Sequence, residues 1–272
     1  MNPAMNPLLG SFRLGLTMLL LFSTMIPVTL LGMLPFRTRR AKWSSWCVTG
    51  LCRVFMRING IRWRCTDSRL LGTHHGLVFT NHSSYLDPVV LMAVRPMRFL
   101  AAAEVSRRPI INWFANAADT VYVDRSDRQS RRAARRSISA ALQKNPFPPV
   151  VIFPEGKLGP GDYLYPMRHG AFETAIQSNV PFLPCAVYYN RPDVTTWYGG
   201  LRNESLLHAA WRMMCHPGRI EIEIIPMQPV ITRPGDSAAP LAEATQRQIE
   251  HALGFPPSPT ALTPLPDKAA AP

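Results

Sequence analysis

A histidine and an aspartate stand five positions apart in the segment Asn-His-Ser-Ser-Tyr-Leu-Asp, at His82 and Asp87. A neutral imidazole can take a proton from a hydroxyl near neutral pH, because its unperturbed pKa of about 6.5 leaves it basic and mostly uncharged. A carboxylate on the second ring nitrogen fixes the tautomer and the orientation of the ring. The pair therefore has the residue types of a general base and its orienting acid.

The spacing restricts how the two side chains can meet. Five positions are about one and a half turns of α-helix, so a regular helix through both residues would not bring them into contact. They meet if His82 precedes the helix and Asp87 lies in its first turns. Three side chains suited to cap such a helix stand nearby, at Asn81, Ser83 and Ser84.

Apolar runs precede both polar motifs of the chain. Residues 76–80 predict a buried strand, and a β-branched run at 150–153 predicts another, followed by Pro154, Glu155 and Gly156. Proline stiffens the end of the strand and glycine permits a turn with positive φ, so Glu155 is presented at the edge of the sheet. Motifs that follow strands lie where α/β proteins tend to place chemistry.

An Asn-His-x4-Asp motif followed by Phe-Pro-Glu-Gly resembles the glycerophospholipid acyltransferase family, and the resemblance extends over residues 75–230. These enzymes move a fatty acyl group from a thioester to a lipid alcohol. The resemblance implies that His82 takes the proton of the acceptor hydroxyl and that Asp87 orients His82. Glu155 and Gly156 would help to place the acceptor, and backbone N–H groups near the motif turns would hold the developing oxyanion.

Further segments match in the order of the family. Residues 121–125 correspond to the block that ends in an arginine for the acceptor's phosphate, here Arg125, and a guanidinium can donate two hydrogen bonds to phosphate oxygens. Lys157 and Arg168 supply positive charge beside the Glu-Gly turn. Residues 180–184 match the block associated with the acyl chain.

Two departures from the family pattern bear on the acceptor. Asp119 stands where the family commonly has glycine, and Lys157-Leu158 replaces the usual Thr or Ser followed by a basic residue. The resemblance implies 1-acylglycerol-3-phosphate as the acceptor, with glycerol-3-phosphate or an amino-acid-based lyso-lipid as alternatives. The co-substrate would be acyl-CoA or acyl carrier protein, and no cofactor is expected.

Metal binding and disulfide bonding are weaker interpretations. Adjacent histidines at 74 and 75 would point to opposite faces of a strand, and no Cys or His pair has the spacing of a zinc site. We therefore expect no metal at His82 and Asp87. The five cysteines are scattered and odd in number, which favours reduced thiols in a domain that faces the cytosol.

Residues 14–34 contain no charged side chain and are long enough to cross a hydrocarbon core, which needs ~20 residues. More basic residues follow this segment than precede it, which favours a cytoplasmic location for the rest of the chain. Residues 43–58 are again apolar and aromatic, and the two segments resemble the membrane-docking helices with which the family often begins. We expect attachment to the inner (cytoplasmic) membrane. A spanning helix and a helix in one leaflet, bent at Pro27 and ended by Pro35, both fit the sequence.

The net charge of +13 fits either nucleic acid or an anionic membrane surface. The apolar N-terminus favours the membrane, and the densest basic run, residues 125–136, lacks the interleaved aromatic residues of single-strand binders. We therefore expect membrane lipids and no nucleic acid as partners. A non-catalytic basic protein of the membrane surface or of nucleic acid, built on the same scaffold, is the alternative from another class. The sequence gives no indication of the oligomeric state.

Strand and helix patterns alternate along the chain, which predicts an α/β fold: a central mixed, mostly parallel sheet flanked by helices, with N-terminal membrane-docking helices. We divide the chain into membrane-anchoring helices (1–58), an acyltransferase α/β domain (59–235), and a C-terminal helix with a disordered Pro- and Ala-rich tail (236–272). The strands are expected at 60–65, 76–80, 98–103, 121–123, 150–153, 182–188 and 219–225. The helices after residue 58 are expected in the segment that follows His82, at 109–118, 127–143, 171–177 and 204–214, and after 237.

Overall fold

The computed structural model describes residues 5–38, 40–102, 112–113, 116–118, 120–123, 136, 138–140, 142–198 and 204–256. Its strands are β1 (Arg37–Thr38), β2 (Ala41–Lys42), β3 (Ile61–Cys65), β4 (Leu77–Thr80), β5 (Arg98–Ala102), β6 (Val121–Val123), β7 (Val150–Ile152), β8 (Phe182–Tyr189) and β9 (Ile220–Pro226). Its helices are α1 (Pro7–Met33), α2 (Trp43–Ile58), α3 (Ser68–Thr73), α4 (Asp87–Val94), α5 (His169–Ser178), α6 (Pro192–Thr195), α7 (Leu206–Met214) and α8 (Ala238–Leu253).

Seven strands form one sheet in the order β3-β9-β8-β4-β7-β5-β6. Every neighbouring pair is parallel except β8 and β9, which are antiparallel. The predicted mixed, mostly parallel sheet is therefore confirmed, and each predicted strand falls on an observed one.

Side chains of the central strands alternate between two apolar cores, one on each face of the sheet. Val78 of β4 and the odd-numbered residues of β8 face one core, together with apolar residues of α2, α4 and α7. Leu77 and Phe79 of β4 face the other core, which contains residues of α5 and α8. Because helices cover both faces, β4 is buried at all four positions, as continuous apolar strands in parallel sheets are.

The outer strands of the sheet carry a different pattern. Along β9 buried residues alternate with more exposed ones, as the alternating sequence predicts. The neighbouring strand β3 pairs only with β9 among the described strands, and its Arg64 donates to Glu223 across the pair at 2.9 Å. The alternation thus marks strands whose second face remains open to solvent.

The helix α4 begins at Asp87, so His82 lies outside the helix, as the spacing predicts. The predicted caps are wrong: the N-cap position is Leu86, without a side-chain cap bond. The polar side chains before it are used elsewhere. Asn81 bonds to the backbone of Val187, and Ser84 Oγ donates to the carbonyl of Thr195 at 2.6 Å.

The helix α1 packs along its length against the rest of the protein, mainly α2 and α7. Its packed side includes Gly10, Arg13, Thr17 and Val28. The Arg13 guanidinium donates from Nη1 to the carbonyls of Met214 and His216, at 3.0 and 2.7 Å. The opposite side exposes a row of large apolar residues at helical spacing: Leu8, Phe12, Leu19, Phe22, Ile26, Leu30 and Met33.

Some predicted features lie outside the described residues. These are Asp119, Arg125, most of the basic run at 125–136 and of the helix expected at 127–143, and the tail from residue 257. Within the described part, residues 142–144 are helical and residues 145–147 are not, which agrees with a helix end before the prolines. The C-terminal helix α8 packs on α5 and β8. The domain limits at 58 and 235 stay predictions.

Candidate active site

The two polar motifs meet at one edge of the sheet. The strands β4 and β7 are adjacent and parallel, with Phe79 opposite Ile152. Their carboxyl ends therefore point the same way, and the chain leaves β4 into His82 and leaves β7 into Glu155 beside it. This is the edge at which open α/β sheets bind ligands.

The His82 ring forms a hydrogen bond with Asp87, with Nδ1 2.8 Å from Oδ2. The Asp87 carboxylate is fully buried, while the imidazole keeps 23% of its side chain exposed. A carboxylate only accepts hydrogen bonds, so Nδ1 is the protonated ring nitrogen and Nε2 carries the lone pair. The predicted contact between His82 and Asp87 is present, and their roles as base and orienting acid stay a prediction.

Further donors hold the Asp87 carboxylate in place. Oδ2 also accepts the backbone N–H of Ser84 at 3.0 Å, and Oδ1 accepts the hydroxyl of Tyr189 at 2.5 Å. Asp87 is also the first residue of α4, where the helix dipole favours a negative charge. Tyr189 was not among the residues singled out from the sequence, because its position in a strand-like run carries no local sign of a polar partner.

Asn81 ties the first motif to the neighbouring strand. Its side-chain amide donates to the Val187 carbonyl at 3.0 Å and accepts the Val187 N–H at 2.8 Å. Its Nδ2 also donates to Ser83 Oγ at 2.7 Å. Since Asn81 is fully buried, these bonds satisfy its polar atoms and fix the chain where it leaves β4.

The ring of Phe153 stacks on the imidazole of His82, with centroids 4.0 Å apart and planes tilted by 20°. This contact covers one face of the imidazole and restricts rotation of the ring. The first residue of the Phe-Pro-Glu-Gly motif therefore has a direct contact with the base, a role that the sequence did not indicate.

Glu155 is 2% exposed and uses both carboxylate oxygens on backbone donors. Oε1 accepts the N–H of His82 at 2.7 Å, and Oε2 accepts the N–H of Tyr165 at 2.9 Å. Burial raises the pKa of Glu155 to about 8, although the two N–H donors and Lys157 act in the opposite direction. Glu155 therefore links the backbone of the first motif to the loop after the second.

Gly156 makes the turn that the sequence predicts, with a φ of +74° and its N–H donating to the Phe153 carbonyl at 3.0 Å. A Cβ at this position would lie 2.9 Å from Arg168 Nε, so Arg168 passes directly over the glycine. Farther along the same loop the N–H of Gly159 donates to the His82 carbonyl at 2.6 Å. The turn and its loop thus close around the backbone of the base.

Two basic side chains border the site. Lys157 is exposed and places Nζ 3.6 Å from the centroid of the Tyr165 ring. Arg168 is exposed at the N-cap of α5. The third predicted cation, Arg125, lies outside the described residues, two positions after β6, a strand that ends at the same edge of the sheet as β4 and β7. Among the described residues, no group of three His, Cys, Asp or Glu side chains could hold a metal ion.

The fold and the site define an α/β protein with a hydrogen-bonded His–Asp pair at the carboxyl edge of a mostly parallel sheet. The family model described as Acyltransferase matches residues 62–188 of the chain. The match includes both motifs, so the resemblance that they indicated is confirmed.

Similar curated proteins carry related names. The chain is 29% identical over 139 residues to a 1-acyl-sn-glycerol-3-phosphate acyltransferase of Neisseria gonorrhoeae, which is 51% of this chain and 54% of that protein. It is 29% identical over 176 residues to a lyso-ornithine lipid O-acyltransferase of Pseudomonas aeruginosa, and the match covers 64% of this chain and 66% of that protein. It is 32% identical over 188 residues to a lysophosphatidylcholine acyltransferase of Drosophila melanogaster, and the match covers 67% of this chain and 34% of that protein. The chain thus spans between a third and two thirds of the length of these relatives.

A solved structure shows the same fold. The crystal structure of the 1-acyl-sn-glycerophosphate acyltransferase PlsC from Thermotoga maritima superposes with a TM-score of 0.70, over 92% of this chain and 95% of that one. The sequences are 18% identical, so this likeness supports the fold of the chain.

Proposed function

We propose that this protein transfers a fatty acyl group from a thioester donor to the hydroxyl of a lysophospholipid, with 1-acylglycerol-3-phosphate as the acceptor and phosphatidic acid as the product. The observation that carries the proposal is the 2.8 Å bond from His82 to a buried, fully hydrogen-bonded Asp87. Three relatives named for acylation of lyso-lipids support the class of acceptor.

The reaction follows from the state of the imidazole. Nε2 of His82 takes the proton of the acceptor hydroxyl while the oxygen attacks the thioester carbonyl. The tetrahedral intermediate then collapses, the C–S bond breaks, and the imidazolium returns its proton to the leaving thiolate. Asp87 stabilises the imidazolium and keeps Nε2 directed at the acceptor. Backbone N–H groups at the motif turns would stabilise the oxyanion.

Lys157 and Arg168 hold the phosphate of the acceptor in this proposal, together with Arg125. The first two are exposed cations on the loop that surrounds the backbone of His82 and Glu155. Guanidinium and ammonium groups bind phosphate oxygens through charge-assisted hydrogen bonds. The expected contact of Glu155 and Gly156 with the acceptor stays a prediction, and Glu155 in addition fixes the backbone of the base.

The donor is acyl-CoA or acyl carrier protein, and no cofactor or metal takes part in this proposal. Both donors are anionic, and a chain with a net charge of +13 attracts anionic partners. Proton transfer by His82 and electrostatic stabilisation supply the chemistry of acyl transfer without another group.

The membrane contact that we propose is side-on, with α1 in one leaflet. In the described part of the chain, α1 is the one helix long and apolar enough to cross a membrane. Arg13 and Thr29 both bond to the rest of the protein, and sixteen residues separate them by roughly 24 Å along the helix. A spanning α1 would therefore draw the parts bonded to it into the hydrocarbon, whereas a helix in one leaflet buries only its exposed apolar row.

The side of the membrane follows from charge. The chain has a net charge of +13, and the cytoplasmic leaflet of a membrane carries a negative surface potential. We place the α/β domain on the cytoplasmic side of the inner membrane. Membrane lipids are then the partner of the basic surface, in preference to nucleic acid.

His82→Ala tests the catalytic role, with His208→Ala as the matched control, because His208 is exposed on α7 away from the site. We expect His82→Ala to lose acyl transfer while it remains folded and bound to vesicles, and His208→Ala to keep full activity. Equal activity of His82→Ala and the wild type would exclude the proposal in favour of a non-catalytic membrane or nucleic-acid-binding protein.

A panel of acceptors, read by mass spectrometry, tests the substrate. We expect the highest rate with 1-acylglycerol-3-phosphate, ahead of glycerol-3-phosphate and lyso-ornithine lipid. A preference for lyso-ornithine lipid would agree with the Pseudomonas aeruginosa relative and with the replaced Thr/Ser-basic pair at Lys157-Leu158. It would remove the phosphate-binding role of Arg125, Lys157 and Arg168.

A further inference from the structure

We propose that Tyr189 is a positioning residue of the acyl-transfer site, which acts through Asp87 to set the basicity and the orientation of His82. The role rests on the proposed function, since it concerns the same base. Tyr189 follows directly after the last residue matched by the family model, so neither the motifs nor the match points to it.

The contact between Tyr189 and Asp87 is short and shielded from water. The hydroxyl of Tyr189 donates to Asp87 Oδ1 at 2.5 Å; the tyrosine is 6% exposed and Asp87 is fully buried. The other oxygen, Oδ2, serves both the His82 ring and the Ser84 N–H. Tyr189 is thus the donor that fixes Oδ1, and the carboxylate plane is held by donors on both of its oxygens.

The sheet explains why a tyrosine of β8 reaches Asp87. The strands β8 and β4 are parallel neighbours with Cys185 opposite Thr80, so β8 continues four residues beyond the end of β4. Those residues lie beside the segment that carries the first motif, and Asn81 bonds to Val187 there. Tyr189 shares the face of Cys185 and Val187, which is the face packed against α4.

The protonation state of Tyr189 suits a permanent donor. Burial, followed by the charge of Asp87, raises the pKa of its phenol well above the ordinary value of 10. The titratable groups that face this contact are His82 before α4, Tyr85 of the same segment, and Glu155 after β7. Since the pKa of Tyr85 is also raised by burial, both phenols stay protonated through neutral pH.

Removal of the phenol hydroxyl has a directional effect. A carboxylate with one donor fewer is a stronger acceptor, so it stabilises the imidazolium of His82 more. A larger fraction of His82 is then protonated near neutral pH and cannot act as a base. The loosened carboxylate also holds the ring less firmly, so kcat falls while KM for the acceptor stays unchanged.

Tyr189→Phe keeps the ring and removes the donor, and Tyr188→Phe is the matched control. Tyr188 is the preceding residue of β8, points to the opposite face and is 42% exposed, and its hydroxyl has no hydrogen-bond partner in the described part of the chain. The titration of His82 is followed by NMR on 13C-histidine-labelled full-length protein in detergent, with His82→Ala to assign the signal. The pH dependence of kcat is measured alongside in mixed micelles.

We expect Tyr189→Phe to move the NMR titration of His82 and the acid limb of kcat to higher pH. Tyr188→Phe should leave both unchanged. A His82 titration in Tyr189→Phe that coincides with that of the wild type would overturn the proposal. The NMR titration does not depend on turnover: a shifted pKa in a protein whose wild type transfers no acyl group would support the role of Tyr189 and exclude the proposed function. If Tyr189→Phe gives poor NMR spectra, the acid limb of the pH profile of kcat serves as the test. A purely packing role of Tyr189 would lower the stability of the protein without moving this limb.

Discussion

His82 is bonded to Glu155 through its backbone: the N–H of His82 donates to Oε1 of Glu155 at 2.7 Å, although the residues are 73 positions apart. The second oxygen of Glu155 accepts the N–H of Tyr165. A single carboxylate thus fixes the distance between the base and the loop that carries Lys157 and leads to Arg168. Geometry at a catalytic base matters, because a displacement of about 1 Å can cost 10²-fold in rate.

Glu155→Gln tests this link. Above pH 8, where Glu155 is ionised and both of its oxygens accept, a glutamine has only one acceptor oxygen, so its NH₂ group would face one of the two backbone donors and one bond would be lost. We expect kcat to fall by about 10- to 100-fold with little change in KM for the acceptor. Glu243→Gln, on the exposed side of α8, is the control. A rise in KM at unchanged kcat would instead indicate that Glu155 contacts the acceptor directly.

The raised pKa of Glu155 predicts a pH dependence of stability. Its pKa is about 8 in the folded protein against an ordinary value of 4.5. Between these values the folded state binds more protons than the unfolded state, so the free energy of unfolding falls as pH rises and levels off above 8. Glu155→Gln lacks this titration. We therefore expect the Tm of the wild type to decrease relative to that of the variant from pH 5 to 8, measured by differential scanning calorimetry. Parallel curves would contradict an elevated pKa.

Gly156→Ala separates backbone strain from crowding. Gly156 has a φ of +74°, and an added Cβ would meet Arg168. Gly235 has a φ of +98°, and an added Cβ there would meet no atom of the described residues within 4 Å. Alanine at either position costs roughly 1–2 kcal/mol because the left-handed conformation is strained for an L-residue. We expect urea unfolding to show the larger loss for Gly156→Ala, and acyl transfer to fall only in that variant. If both variants lose the same activity, the displacement of Arg168 has no functional effect.

The side-on membrane contact of α1 is tested by Phe22→Asn. Phe22 lies in the exposed apolar row and is 68% exposed, whereas Ile231, 76% exposed, follows β9 away from that row. Burial of a large apolar side chain contributes about 1.5–3 kcal/mol, and 1.4 kcal/mol corresponds to a factor of ten in affinity. We expect Phe22→Asn to bind anionic vesicles about 10- to 100-fold more weakly and Ile231→Asn to bind normally. Equal binding of both variants would remove α1 from the membrane contact.

The local features of the site are readable from the sequence. His82 and Asp87 are five positions apart, so they can meet only if His82 precedes the helix, and α4 begins at Asp87. Gly156 adopts the positive φ that a Pro-Glu-Gly turn implies. The alternation of β9 and the continuous apolar run of β4 match their half-exposed and buried positions in the sheet. These features depend on neighbours within a few residues, so the chain itself specifies them.

The helix caps show where local inference fails. Asn81 and Ser84 have good capping side chains, yet they bond to Val187 and Thr195, more than a hundred positions away. A buried polar side chain takes the partner that the fold brings to it, and that partner can be a distant carbonyl in place of the nearest N–H.

The sequence by itself determined the strands, the His–Asp spacing, the Glu-Gly turn and the apolar N-terminal helix, because side-chain period and turn chemistry are local. Only the tertiary structure decided which strands are neighbours, and with that the hydrogen bonds from Tyr189 to Asp87 and from His82 to Glu155. It also decided that Arg13 ties α1 to the carbonyls after α7 and that the opposite side of the helix stays exposed. The physical reason is that periodicity fixes the face on which a residue lies, whereas the order of strands and the packing of helices fix what that face meets.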